Sequence, residues 1–221
     1  MQLQISRSEI HAMVARQLES LFVLDRGAEL PTLSRGIDEA LGRCEYCFSH
    51  TDNKYYHRGA EVYFNPFHSG QYSIFLYYLA NSVFLEAQES NTLSDRIYSL
   101  NRCLSGVDLF YEVMLPRVFF LDHPLGSVIG RAVYGDFFGF AQQCTVGNNR
   151  GVYPTIGRNV RMKSGSKIVG DCTIGDDVII AANSYVKDAD VPSCSLVFGQ
   201  SPNLVFKSVD QSYFAAEPRG L

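Results

Sequence analysis

The stretch Ile156-Gly157-Arg158-Asn159-Val160-Arg161-Met162-Lys163-Ser164-Gly165-Ser166-Lys167-Ile168 returns an apolar residue at every sixth position, with small, polar and turn-forming residues between. The period continues forward through Ile174, Ile180 and Val186, and backward through Val146, Phe140 and Tyr134 towards Ile129. A period of six fits neither the 3.6 of a helix nor the 2 of a strand, but it fits one side of a three-sided, left-handed coil of short parallel strands. Each repeat supplies one face, three repeats make one turn, and the recurring apolar residue points inward. The spacing therefore predicts a left-handed parallel β-helix.

Two irregularities interrupt the period. Val146 to Ile156 is ten residues rather than six, which leaves four extra residues within Gly147-Asn148-Asn149-Arg150-Gly151-Val152-Tyr153-Pro154. A loop extruded from a rigid coil is a favoured place for function. The step from Ile129 to Tyr134 is one residue short, which reads as a bulge or distorted corner.

Upstream, the apolar pattern changes to a helical one. Ser6-x-x-Glu9 reads as a capping box opening a helix with Ile10, Met13, Val14, Leu18, Leu21 and Phe22 on its apolar face. A second helix is predicted over 33–49 with Thr32 as its cap, and residues 50–67 read as an irregular loop. A third helix over 69–88 is apolar on nearly all sides and calls for burial in a core or interface. A fourth, over 93–104, follows Thr92 and ends at Gly106. The fold class is thus α+β: an N-terminal α-helical domain (1–106), a left-handed β-helix domain (107–207) and a C-terminal tail (208–221).

With 221 residues, 46% of them hydrophobic, the chain can bury a sizeable core. A net charge of −4 and a pI near 5.7 argue against a nucleic-acid surface. No apolar run is long enough to span a bilayer. The N-terminus lacks the charged-then-apolar order of a signal peptide, which points to a cytoplasmic protein. Cys44-x-x-Cys47 followed by His50 offers three zinc ligands without a second pair, while Leu33, Ile37, Ala40, Leu41, Cys44, Cys47 and Phe48 trace one helix face. The two cysteines then read as small core residues, and no metal is expected.

Of the five histidines, His123 stands out, because it follows Asp122 beside the first turns of the coil. A neutral imidazole can remove a hydroxyl proton near pH 7 if a carboxylate fixes its tautomer. Adjacent side chains on a strand face opposite ways, so Asp122 is expected to face the acceptor rather than hold His123. Asp108 lies fifteen residues upstream, near one turn of coil, and is the expected partner.

The hexapeptide run resembles that of the left-handed β-helix acyltransferases. N-terminal helices combined with Val107-Asp108 and Leu121-Asp122-His123 are similar to serine O-acetyltransferases, over about residues 65–207. The resemblance implies acetyl-CoA as co-substrate, His123 as general base, Asp108 as its orienting carboxylate and Asp122 as a contact to the amino acid acceptor. Phe67-His68 matches a Phe-His pair opening a family helix, and Asp52 is the nearest match to a further acceptor-site aspartate. In such coils acetyl-CoA lies in a cleft between subunits, against backbone exposed by small residues. That assigns Gly147, Ser164, Gly165, Ser166 and Ala182 to the cofactor, with Lys187 and Lys207 for its phosphates. The expected assembly is a homotrimer through the coil, which pairing through the helices would double to a hexamer.

The long loop departs from the family. Serine acetyltransferases carry Arg-His-Pro there to grip the serine carboxylate, where this chain has Val152-Tyr153-Pro154 with Arg150 two residues early. Tyr153, with Phe137, Phe138 and Phe140 nearby, suits the face of a sugar. The chain ends Arg219-Gly220-Leu221 rather than in the isoleucine with which the family docks its sulfhydrylase partner. The leading expectation is therefore O-acetylation of a saccharide or sugar nucleotide by an Asp-His dyad, as in enzymes of polysaccharide biosynthesis. A serine O-acetyltransferase of cysteine biosynthesis is the alternative, and a non-catalytic scaffold the second alternative.

Overall fold

The computed structural model describes residues 1–216, which divide into two compact units. One holds residues 1–50, 54–105 and 109–112; the other holds 51–53, 106–108 and the chain from 113 onward. Residues 217–221, and with them the Arg219-Gly220-Leu221 ending, lie outside the described residues.

In the first unit, helix α1 (Arg7–Leu21) opens on the expected capping box. The Glu9 amide donates to Ser6 Oγ at 3.3 Å and the Ser6 amide donates to the Glu9 carboxylate at 2.8 Å. Helix α2 (Arg26–Ser49) starts earlier than predicted, because Asp25 rather than Thr32 caps it and accepts from the Gly27 and Ala28 amides. Pro31 sits inside α2, where it removes one backbone donor near the start without ending the helix. Helix α3 (Ser69–Ala87) is buried from Gly70 through Asn81 and packs against both α2 and α4 (Thr92–Ser105). Close approach of α2 and α3 needs Gly36, since a Cβ there would meet Leu79 and Val83 at 2.9 Å. Cys44 and Cys47 are fully buried beside Phe48 on α2.

Residues 50–67 are more ordered than an irregular loop. His57–Arg58 pairs antiparallel with Glu61–Phe64, which pairs in turn with Gln2–Leu3. The N-terminal strand is far away in sequence, so no local pattern announces this three-stranded sheet. Among the described residues no helix is long and apolar enough to cross a membrane.

The second unit is a parallel β-solenoid, the left-handed β-helix that the period predicts. One face stacks Val133–Tyr134, Thr155–Ile156 and Thr173–Ile174. A second stacks Phe119–Leu121, Phe138–Phe140, Val160–Met162, Val178–Ile180 and Ser195–Gln200. The third stacks Asp108–Leu109, Val128–Ile129, Thr145–Gly147, Lys167–Val169 and Tyr185–Lys187. Register partners such as Met162 and Ile180, or Ile168 and Val186, are three repeats apart. Phe140, Val146, Ile156, Met162, Ile168, Ile174, Ile180 and Val186 are all buried, which places the recurring residue in the core. A hairpin of Ser195–Gln200 with Asn203–Ser208 closes the coil, and the short helix Gln211–Ala216 follows.

Candidate functional site

Corners between faces decide what the coil can offer a ligand. Leaving the second face at Leu121, the chain turns through His123-Pro124-Leu125-Gly126 and enters the third at Val128. Leu125 donates to the His123 carbonyl at 2.7 Å and Ser127 to the Pro124 carbonyl at 3.1 Å, so the turn is tight. The equivalent corners of later turns stack on it through backbone bonds: Gln143 to the Leu125 carbonyl, Gly165 to the Gln142 carbonyl and Asn183 to the Ser164 carbonyl, each 2.9 Å. Thus the histidine and the small-residue turns Ser164-Gly165-Ser166 and Ala181-Ala182, remote in sequence, share one edge of the coil.

On that edge the His123 side chain is 84% exposed, with backbone φ of +47°. Positive φ recurs at corners of this coil, where Gln143, Asn183 and Asp188 also take it, so the turn itself sets this conformation. Asp122 is brought to it: its Oδ1 lies 3.6 Å from His123 Nε2. This corrects the expectation that the two face apart, because the strand stops at Leu121 and its alternation no longer applies. Asp108 is half-buried on the neighbouring strand, where its amide donates to the Ser127 carbonyl at 2.9 Å. Asp52 is exposed, in the short segment 51–53 that belongs to the coil unit.

The residues assigned to the cofactor divide into two groups. Ala182 is exposed, Ser164 half-buried, and Gly165 takes φ +73° at the corner. A Cβ on Gly147 would meet nothing within 4 Å, so its surroundings are open. Ser166 is different: it is fully buried, its hydroxyl 3.7 Å from Cys144 Sγ. Its side chain serves the interior of the coil. Lys187 and Lys207 are both exposed, on the last strand of the third face and on the closing hairpin.

The extra loop leaves the opposite edge of the third face. It is a tight hairpin, in which Asn149 and Val152 exchange backbone bonds of 3.1 and 3.0 Å around Arg150 (φ +53°) and Gly151 (φ +85°). Two successive positive φ values define a type I′ turn. Arg150 and Tyr153 are exposed there. Phe138 and Phe140, by contrast, are fully buried, with ring centroids 5.9 Å apart inside the coil. Phe138 and Phe140 therefore add nothing to an aromatic surface around Tyr153, because the coil turns both rings inward, while Phe137 is half-buried at a corner with φ +65°. Asn149 anchors the loop through a side-chain bond to Asp188 at 2.6 Å, a pair that no sequence spacing announces. The Asn149-Arg150-Gly151-Val152 sequence carries a turn signal in its glycine, but its anchor is thirty-nine residues away.

Comparison with known proteins agrees with this architecture. Residues 153–188 match the family described as bacterial transferase hexapeptide (six repeats). The chain is 35% identical over 114 residues to a serine acetyltransferase of Synechococcus elongatus, a match covering 49% of this chain and 46% of that protein. The chain thus spans about half the length of that curated relative. The serine acetyltransferase of Neisseria gonorrhoeae superposes with a TM-score of 0.70 at 20% identity, over 97% of this chain and 84% of that one. Another serine acetyltransferase, solved in complex with CoA, superposes at 0.65 with 18% identity, over 92% and 85% of the two chains. At those identities the structures establish the shared fold. In sequence the chain is similar to serine acetyltransferases, and it carries their hexapeptide coil behind a helical N-terminal unit.

Proposed function

We propose that this chain is an acetyl-CoA-dependent O-acetyltransferase in which His123 is the general base, and that its acceptor is L-serine. The observation that carries the reading is the shared edge: an exposed imidazole stacked in line with the small-residue corners at Ser164-Gly165, where Ser164 is half-buried, and at exposed Ala182. A thioester running along that edge brings its carbonyl to His123. The imidazole takes the hydroxyl proton while the acceptor oxygen attacks the thioester carbon. As the C–S bond breaks, the protonated imidazole returns the proton to the CoA sulfur. Asp108 and Asp122 are the carboxylates available to orient the imidazole and meet the acceptor, with Asp52 as a further acceptor contact. Lys187 and Lys207 are the cations for the cofactor phosphates.

Serine is favoured over a saccharide for two reasons. Proteins similar in sequence and fold are serine acetyltransferases, and two of the aromatic rings that would suit a sugar, Phe138 and Phe140, are spent on the core. Arg150 supplies the cation that a serine carboxylate needs. His123 and the Arg150 loop leave opposite edges of the same face, about 10–15 Å apart by strand rise. The reading therefore requires a coil trimer in which a neighbouring copy presents its Arg150 loop.

The test is release of free thiol from acetyl-CoA, offered L-serine and then sugar nucleotides. A specificity constant for L-serine of about 10⁴ M⁻¹s⁻¹ or more is expected for a working enzyme. Turnover of a sugar nucleotide alone restores the saccharide acceptor, and silence with every acceptor leaves the scaffold.

A further inference from the structure

The extra loop is clamped to the coil by groups that the proposed reaction does not itself need. Corners on this edge stack in the order Gly130, Gly147 with its loop, Gly170 and Asp188, so Asn149 reaches past one whole corner to bond Asp188. The intervening corner lets it pass. Gly170 takes φ +87°, and a Cβ there would overlap Asp188 Oδ1 and come within 2.7 Å of Asn149 Cβ. Asp188 is held in turn, since its other oxygen accepts from the Asp171 amide at 3.0 Å. At the loop base the Gly170 amide donates to the Gly147 carbonyl at 3.0 Å, and within the loop the Gly151 amide donates to Asn148 Oδ1 at 3.2 Å.

The result is a hairpin fixed at its base, along its side and across its neck. At its tip stands Arg150, in a backbone conformation that arginine seldom adopts and that asparagine or glycine fills more readily. An uncommon residue held rigidly at an exposed tip points to the side chain's use rather than to turn formation.

We propose that Asn149 and Asp188 are positioning residues, which fix the 148–152 hairpin so that Arg150 meets the acceptor carboxylate without an ordering cost on binding. The proposal rests on the acetyltransferase reading and makes the acceptor's anionic group the one this loop selects. Asn149→Ala removes the clamp while leaving the backbone hairpin and every group at the His123 corner. Its expected signature is a rise in the KM for L-serine on the order of tenfold with kcat and the acetyl-CoA KM little changed, the pattern of lost ground-state binding. Asn149→Asp sets two carboxylates against each other and should be worse. The double variant Asn149→Asp with Asp188→Asn restores the bond with donor and acceptor exchanged and should recover the wild-type KM. Asparagine suits the positive φ of position 188.

Hydrogen exchange of the Gly151 and Val152 amides reads the clamp without any turnover and should quicken in Asn149→Ala. Unchanged exchange overturns the clamp whatever the acceptor. Quickened exchange with an unchanged L-serine KM overturns the positioning role alone. A wild type that releases no thiol with L-serine overturns the acceptor reading and this role with it, while the exchange result still stands for the clamp.

Discussion

Asp122 Oδ1 lies 3.6 Å from His123 Nε2, although neighbours on a strand face apart. The pair meets because the chain leaves the strand between them. Asp122 still donates its amide to the Phe140 carbonyl at 3.0 Å, as the last rung of the ladder, while His123 turns to positive φ. His123→Ala is expected to lower kcat by about 10² to 10⁴, the usual scale of a general base, with little change in the acetyl-CoA KM. Asp108→Asn should cost less than the histidine variant. Near-normal turnover of His123→Ala would place the base elsewhere.

Gly139 and Phe120 are register partners on the second face, and the Phe120 ring lies over the glycine. A Cβ at 139 would overlap that ring, and both residues are buried. Gly139→Ala should destabilise the fold by about 1–3 kcal/mol, as overpacking does. Gly147→Ala, which meets open space, is the control that keeps wild-type stability. Equal urea midpoints for the two variants would show that the Phe120 ring moves aside freely.

Burial pushes the Cys44, Cys144 and Cys172 thiols up from their ordinary value, and it does the same to the phenols of Tyr72 and Tyr111. These groups hold their protons more tightly when folded than when unfolded. The stability they contribute is therefore complete below the unfolded values and declines above them. Since free thiols ionise near 8.5 and phenols near 10, the urea midpoint should be level between about pH 6 and 8 and fall from there upward. A midpoint unchanged between pH 7.5 and 10, measured with reductant present, would contradict this.

Val128 and Val133 are exposed on coil strands, and Leu125 on the corner beside His123. The proposed reaction calls for a second and third copy that cover them and present an Arg150 loop to each His123 edge. Sedimentation velocity at micromolar concentration is expected to give a trimer or its double. A monomer that retains full activity would remove the shared site.

The hexapeptide period by itself determined the coil, its phase and its inward residues, because a strand only a few residues long has no freedom to choose its face once the corner is set. Capping at Ser6 and the burial of α3 were equally local and equally legible. The sequence also singled out His123 and the ten-residue gap, since both stand out against a regular background. Other features depended on residues that meet only when turns stack. The small sheet joining Gln2–Leu3 to Glu61–Phe64 is one such case, and the inward use of Ser166, Phe138 and Phe140 is another. Arg161 is a third: a charged residue on a three-residue strand, it is fully buried, with Nε donating to Asn159 Oδ1 at 3.2 Å and Asn159 donating onward to Asp177 at 2.7 Å. Only the tertiary structure joined Asn149 to Asp188, because each turn of a solenoid returns the chain to the same corner and makes neighbours of residues that sequence spacing keeps apart.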